Sequence, residues 1–230
     1  MNQKHKTSSL FLALIGLAVI TFSCTQSPEE TAFPEEVIEQ LEDLYDEDQM
    51  MRNTETYLNK WALELYRKNG RDGHDYQLVQ ARHDSLAKER ALIDIKNAEV
   101  LSKIIDEYGW PDRSKTSRLA NHTSFLVVQH NFEIQEKYLP LLLESAQRGE
   151  SSSWNVAWLQ DRILLAKGLP QRYGSQLFTI NGTTYLWPLE DSVNVDALRA
   201  KMGLKTLIEY LGGEMYPMLP DSMMVTIQFY

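Results

Sequence analysis

Two helical stretches carry polar side chains where packing favours carbon. In the first, His122, Phe125, Leu126 and Gln129 recur at i, i+3, i+4 and i+7, with His130 alongside. In the second, Trp154, Trp158, Asp161 and Leu165 repeat the pattern, and Arg162 lies one turn beyond Trp158. Asp161 therefore falls in an aromatic-lined seam. A buried carboxylate is costly unless it is paired and hydrogen-bonded, so a cation or donor from another helix is expected to meet it. The segment Gln171-Arg172-Tyr173-Gly174-Ser175-Gln176 adds amides, a guanidinium and a phenol around a glycine that can bend the backbone. Brought together, these groups suit general-base chemistry by His130, oriented by Asp161, with Arg162 or Arg172 taking an anion. The plainer alternative has Asp161 capping a loop, His130 hydrogen-bonded in the core, and the 171–176 segment locking the helical part to a hairpin.

Other routes to chemistry lack their residues. No GxSxG elbow, HExxH helix, P-loop or GxGxxG occurs. His74, His83, His122 and His130 lack zinc-site spacing, and the acidic stretch 35–52 lacks EF-hand spacing. Neither metal nor cofactor is expected. The net charge of −9 opposes nucleic acid as a partner, and 43% hydrophobic residues oppose a disordered chain.

The elements that must position these residues are mostly helical. Residues 35–52 carry Val37, Ile38, Leu41, Leu44 and Tyr45 at helical spacing, and Tyr57 to Lys68 continues it up to Asn69-Gly70. After a loop at 70–75, a long helix is expected from about Tyr76 or His83 to Tyr108, stopped by Gly109-Trp110-Pro111. Further helices are expected at about Ser114–Asn131, Glu133–Arg148 (with Pro140 as a kink or a start) and Trp154–Lys167, the last capped by the serines at 151–153. Leu177–Ile180, Asn181-Gly182 and Thr183–Trp187 spell a β-hairpin with a type I′ turn. Asn194 is expected to cap a helix from Val195 to Leu211, and Val225, Ile227 and Phe229 alternate as a terminal strand. The expected fold is mainly α: a multi-helix domain with a small β-hairpin near the C-terminal third, at about 177–187.

The N-terminus supplies an address. Lys4 and Lys6 precede an uncharged, mostly apolar run, Leu10–Phe22, whose helix would reach about 20 Å, short of a roughly 30 Å hydrocarbon layer. It ends in Thr21-Phe22-Ser23-Cys24, which resembles a lipobox. Residues 1–23 are thus expected to be a lipoprotein signal peptide, with Cys24, the sole cysteine, as the lipidation site. Removing that segment deletes two lysines, taking −9 to −11. Residues 24–34 read as a polar, proline-containing tether, and 35–230 as one domain. Acids close behind Cys24 resemble surface-export signals of Bacteroidetes lipoproteins, which implies a lipid-anchored envelope location at the outer membrane, on its periplasmic or surface face.

Taken in order, Asp48-Gln49-x-x-Arg52, Asp94-x-x-Asn97, Gly109-Trp110-Pro111, Gln129-His130, Gln135, Asp161-Arg162 and Gln171-x-Tyr173-Gly174-Ser175-Gln176 resemble a family's signatures. These are the DQxxR, DxxN, GWP, QH, DR and QxYGTQ motifs of a bacterial domain family of unknown function, frequent in Bacteroidetes. The resemblance covers about residues 40–210; Ser175 stands where Thr is usual. It implies no activity, but it joins Asp48, Arg52, Asp94 and Asn97 to Gln129, His130, Asp161, Arg162, Gln171, Tyr173 and Gln176 as one polar site. Two functions compete: a membrane-anchored binding or structural module for a polar small ligand or envelope component, and a hydrolase or transferase using His130. The first is the expectation.

Overall fold

A computed structural model describes residues 32–180 and 182–220. Seven helices and one hairpin succeed one another in chain order: α1 (Glu35–Asn69), α2 (His74–Tyr108), α3 (Arg118–His130), α4 (Phe132–Gln147), α5 (Ser153–Ala166), β1 (Leu177–Ile180), β2 (Thr183–Leu186), α6 (Val195–Lys201) and α7 (Leu207–Tyr210). The fold is mainly α with a minor β element, as expected. Cys24, the expected signal segment, Asn181 and the expected Val225–Phe229 strand lie outside the described residues.

α1 is one continuous helix. Glu35 and Glu36 in its first turn and Arg67 and Lys68 in its last complement the helix dipole. Its buried stripe begins with Val37, Leu41 and Leu44, then turns polar at Asp48 and Glu55. α2 runs back along it. Cross-helix bonds from Lys96 to Glu47, Arg52 to Asp94 and Arg90 to Glu55 fix an antiparallel register. α2 starts at His74, earlier than expected, because Gly73 leads directly into the first turn.

Leu41, Leu44, Leu101, Ile104 and Ile105 form the main core with Val127, Val128, Tyr138, Leu142 and Leu159. The Gly-Trp-Pro stop is pinned there: the Trp110 indole N–H donates to Ser151 Oγ at 3.1 Å, and the Asn121 amide donates to Ser151 Oγ and Pro111 O. Ser152 caps α5 as expected, accepting from the Trp154 N–H. α4 runs through Pro140. Asn131 alone joins α3 to α4, with its side chain accepting from the Glu133 N–H.

The hairpin pairs antiparallel in the register Leu177↔Leu186 through Ile180↔Thr183. Trp187 packs there with Leu165 and Leu219 in a second, smaller cluster. Residues 217–219 lie along Leu186, which donates to Pro217 O and accepts from the Leu219 N–H. The expected helix 195–211 is two short helices. Gly203 adopts φ +66°, the Leu204 N–H bonds back to Arg199 O, and Thr206 and Glu209 cap a fresh start. Asn194 occupies the cap position of α6, but its side chain donates to Asp191 and caps nothing.

Candidate functional site

The polar turn in the α1 stripe builds one centre. Asp48 and Arg52, one helical turn apart, face Asp94 of α2 and His130 at the end of α3. The Arg52 Nη2–H donates to both Asp94 oxygens at 2.9 and 3.1 Å, and its Nε–H donates to His130 Nε2 at 3.3 Å. A guanidinium N–H only donates, so Nε2 carries the lone pair and the imidazole proton sits on Nδ1. That proton points at Asp48 Oδ1, 2.8 Å away. The Gln129 amide also approaches Nε2, at 3.2 Å. The result is an imidazole oriented from behind by a buried carboxylate, with Nε2 already engaged by Arg52 and Gln129. The Asp48 carboxyl lies below its usual range: burial raises it, but the hydrogen bonds from His130 and Gln49 and the charge of Arg52 outweigh that.

The centre is reachable from one edge. Asp48 is only 1% exposed, whereas the side chains of Arg52, Asp94 and His130 keep 19, 14 and 18%. Oxygens of Asp48 and Asp94 and a His130 nitrogen lie within 4.8 Å of one another, a spacing that a metal ion could bridge. The Arg52 guanidinium contacts all three residues, so the cation held between them is the arginine's. The antiparallel register brings Asn97 level with Asp48. Asn97 is buried, and neither of its amide atoms has a partner among the described residues.

Asp161 does not join this centre. Its Oδ1 accepts the N–H groups of Arg172 and Tyr173 at 2.7 and 2.9 Å, and its Oδ2 accepts that of Ser175 at 2.9 Å. The expected partner from another helix is instead the backbone of the following loop. Burial pushes this carboxyl up, with the N–H donors pulling the other way. Gln171 closes the same loop: its amide donates to Gln176 O and Trp187 O, and its Oε1 accepts from the Gln176 N–H. Gly174 takes φ +69°, a conformation that favours glycine, and a Cβ there would meet Leu207 Cδ1 at 2.8 Å and push that side chain aside. The Gln176 side-chain amide bonds to Ser175 Oγ, and Arg172 pairs outward with the exposed Glu190 at 2.7 Å.

Arg162, next to Asp161 on α5, turns elsewhere. Its guanidinium lies 5.5 Å over the Phe132 ring, and its Nε is buried with no partner among the described residues. Burial and the charge of Arg52 both pull it below the usual arginine range. The eleven residues expected in one site therefore divide. Asp48, Arg52, Asp94, Gln129 and His130 meet directly, with Asn97 and Arg162 at the margins; Asp161, Gln171, Tyr173 and Gln176 form a separate knot. Arg199 escaped sequence reading. It is 1% exposed, donates to Tyr173 O and Lys205 O, and lies 5.1 Å from the Tyr210 ring. Its only sequence signal was an arginine amid the apolar positions of α6. His122 is exposed on α3, near Tyr45 and Phe125 and apart from the centre.

Helices packed around an oriented histidine, with a loop knot and a small hairpin at one end, define a mainly α domain with an internal polar centre. The chain belongs to the family of unknown function DUF6624, whose profile matches residues 80–216. Asp48 and Arg52 lie upstream of that match yet complete the centre. No curated protein and no solved structure matches the chain significantly.

Proposed function

We propose that this is a lipid-anchored envelope protein whose helical domain binds a polar small ligand or envelope component at the Asp48–His130 centre. One observation carries the reading: the centre keeps a solvent-reachable edge, and at its margins Asn97 and Arg162 carry polar atoms that no described residue satisfies. Native structures rarely leave such atoms without a partner. Cys24 supplies the anchor, as the lipobox resemblance implies. Among the described residues no helix is long and apolar enough to cross a membrane. A fatty-acid analogue should label the wild type and not Cys24→Ala; equal labelling would remove the anchor. A thermal-shift panel of sugars, amino acids, carboxylates and nucleotides should shift wild type and leave His130→Ala unmoved. No shift in wild type, with the variant failing to fold, would return the centre to a structural role.

A second reading, hydrolase or transferase, draws on one distance. Asp48 stands 2.8 Å from His130 Nδ1, so Asp48, rather than Asp161, is the orienting acid, and Nε2 is the basic atom.

A further inference from the structure

One face of α5 carries two hydrogen-bond donors without acceptors among the described residues. Trp158 and Arg162 are four residues apart and share that face. The Trp158 Nε1–H and the Arg162 Nε–H are both buried with no partner among the described residues. Both groups can only donate, so what is missing beside them is an acceptor. Among the described residues no acid pairs with Arg162, and burial and the charge of Arg52, another cation, pull it below the usual arginine range. Of the other arginines near α5, Arg172 is already held by Glu190 and Arg199 by Tyr173 O and Lys205 O. A partly buried guanidinium beside a second guanidinium and an indole N–H is a site completed by negative charge.

We propose that Trp158 and Arg162 of α5, with Arg52 of α1, form an oxyanion site that takes the carboxylate or phosphate group of the ligand. This rests on the reading of the Asp48–His130 centre as a ligand site, and it names the charge and shape of what binds there. The Arg162 fork meets two oxygens of the anion, and the Trp158 indole donates to one of them. Arg52 contributes charge while remaining bonded to Asp94 and His130. Phe132 beneath Arg162 keeps the guanidinium flat and partly dehydrated, which strengthens its bond to an anion.

The test uses the full chain, with sodium phosphate and sodium acetate as probes against sodium chloride at equal ionic strength, read by calorimetry and melting temperature. At least one oxyanion should bind saturably to wild type and raise its melting temperature. Arg162→Met should weaken that binding by about tenfold or more, while the ligand-free variant melts at or above the wild-type temperature, because an unpaired buried charge has been removed. Trp158→Phe, which keeps the ring and deletes the donor, should weaken binding by a few-fold, and Arg172→Met should bind as wild type. Phosphate without acetate, or the reverse, assigns the group. Failure of both oxyanions to bind wild type overturns the proposal. So does unchanged affinity in Arg162→Met, or a fall in its ligand-free melting temperature, since that marks Arg162 as structural. A neutral compound whose thermal shift is lost in His130→Ala and kept in Arg162→Met would leave the ligand site standing and remove the oxyanion from it.

Discussion

Asp48 and Asp161 are equally buried carboxylates, at 1 and 0% exposure, with opposite employment. Asp161 gives both oxygens to backbone N–H groups of one loop, three bonds that fix the course of residues 172–175. Asp48 gives its oxygens to side chains, His130 and Gln49, and Arg52 ties His130 to Asp94 beyond them. The first carboxylate holds a backbone in place. The second orients a titratable ring that solvent can reach. Burial alone therefore does not separate structure from function in this domain; what separates them is whether the partners are the backbone of a loop or side chains with an edge open to solvent.

The largest expected effect belongs to Asp161. Asp161→Ala leaves three N–H groups unsatisfied and frees the loop that ties α5 to the hairpin, so urea denaturation should show a loss of about 3–5 kcal/mol. A loss below about 1 kcal/mol would end its role as the loop's organiser. Asp48→Asn keeps the shape of the side chain and should cost less, about 1–3 kcal/mol. It should also abolish the preference for the Nδ1–H form, as read by long-range ¹H–¹⁵N correlation of the His130 ring.

Acid sharpens the same contrast. The Asp48 carboxyl is held below its usual range in the fold by His130 and Arg52 against the effect of burial. Its contribution to stability is therefore fully present above the ordinary carboxylate value of about 4 and is lost as pH falls through the lower folded value. Wild type should thus lose more stability than Asp48→Asn between neutral pH and about pH 3; parallel curves would contradict the ion pairing. The smallest effect is expected for Arg172→Ala, whose partner Glu190 is half in solvent. Chemical denaturation should move by no more than about 1 kcal/mol.

Much of the scaffold was legible because it rests on local signals. The stops at Asn69-Gly70 and Gly109-Trp110, the Ser152 cap and the hairpin all arise from neighbours in the chain. The break at Gly203 was less visible, since Val195 to Leu211 keeps a helical pattern across it and only the Thr206–Glu209 capping box marks a second start. The residue types of the centre were legible too, but their partnerships were not. His130 meets Asp48 across 82 positions and Arg52 across 78, and no spacing rule reaches that far. Asp161 looked like the orienting acid because it lies in an aromatic seam, yet backbone donors, which every residue type supplies, had already claimed it. Helical geometry explains how Asp161 and Arg162 part: consecutive residues point about 100° apart, so one serves the loop and the other faces Arg52.

Urea denaturation of Asp161→Ala and His130→Ala side by side, each repeated with the compound that most stabilises wild type, tests the division most directly. Asp161→Ala should lose most of its stability, and His130→Ala should keep its fold and lose the compound's stabilising effect. Equal losses of stability in both variants, with no compound stabilising wild type, would contradict it and make Asp161 and His130 parts of one structural network.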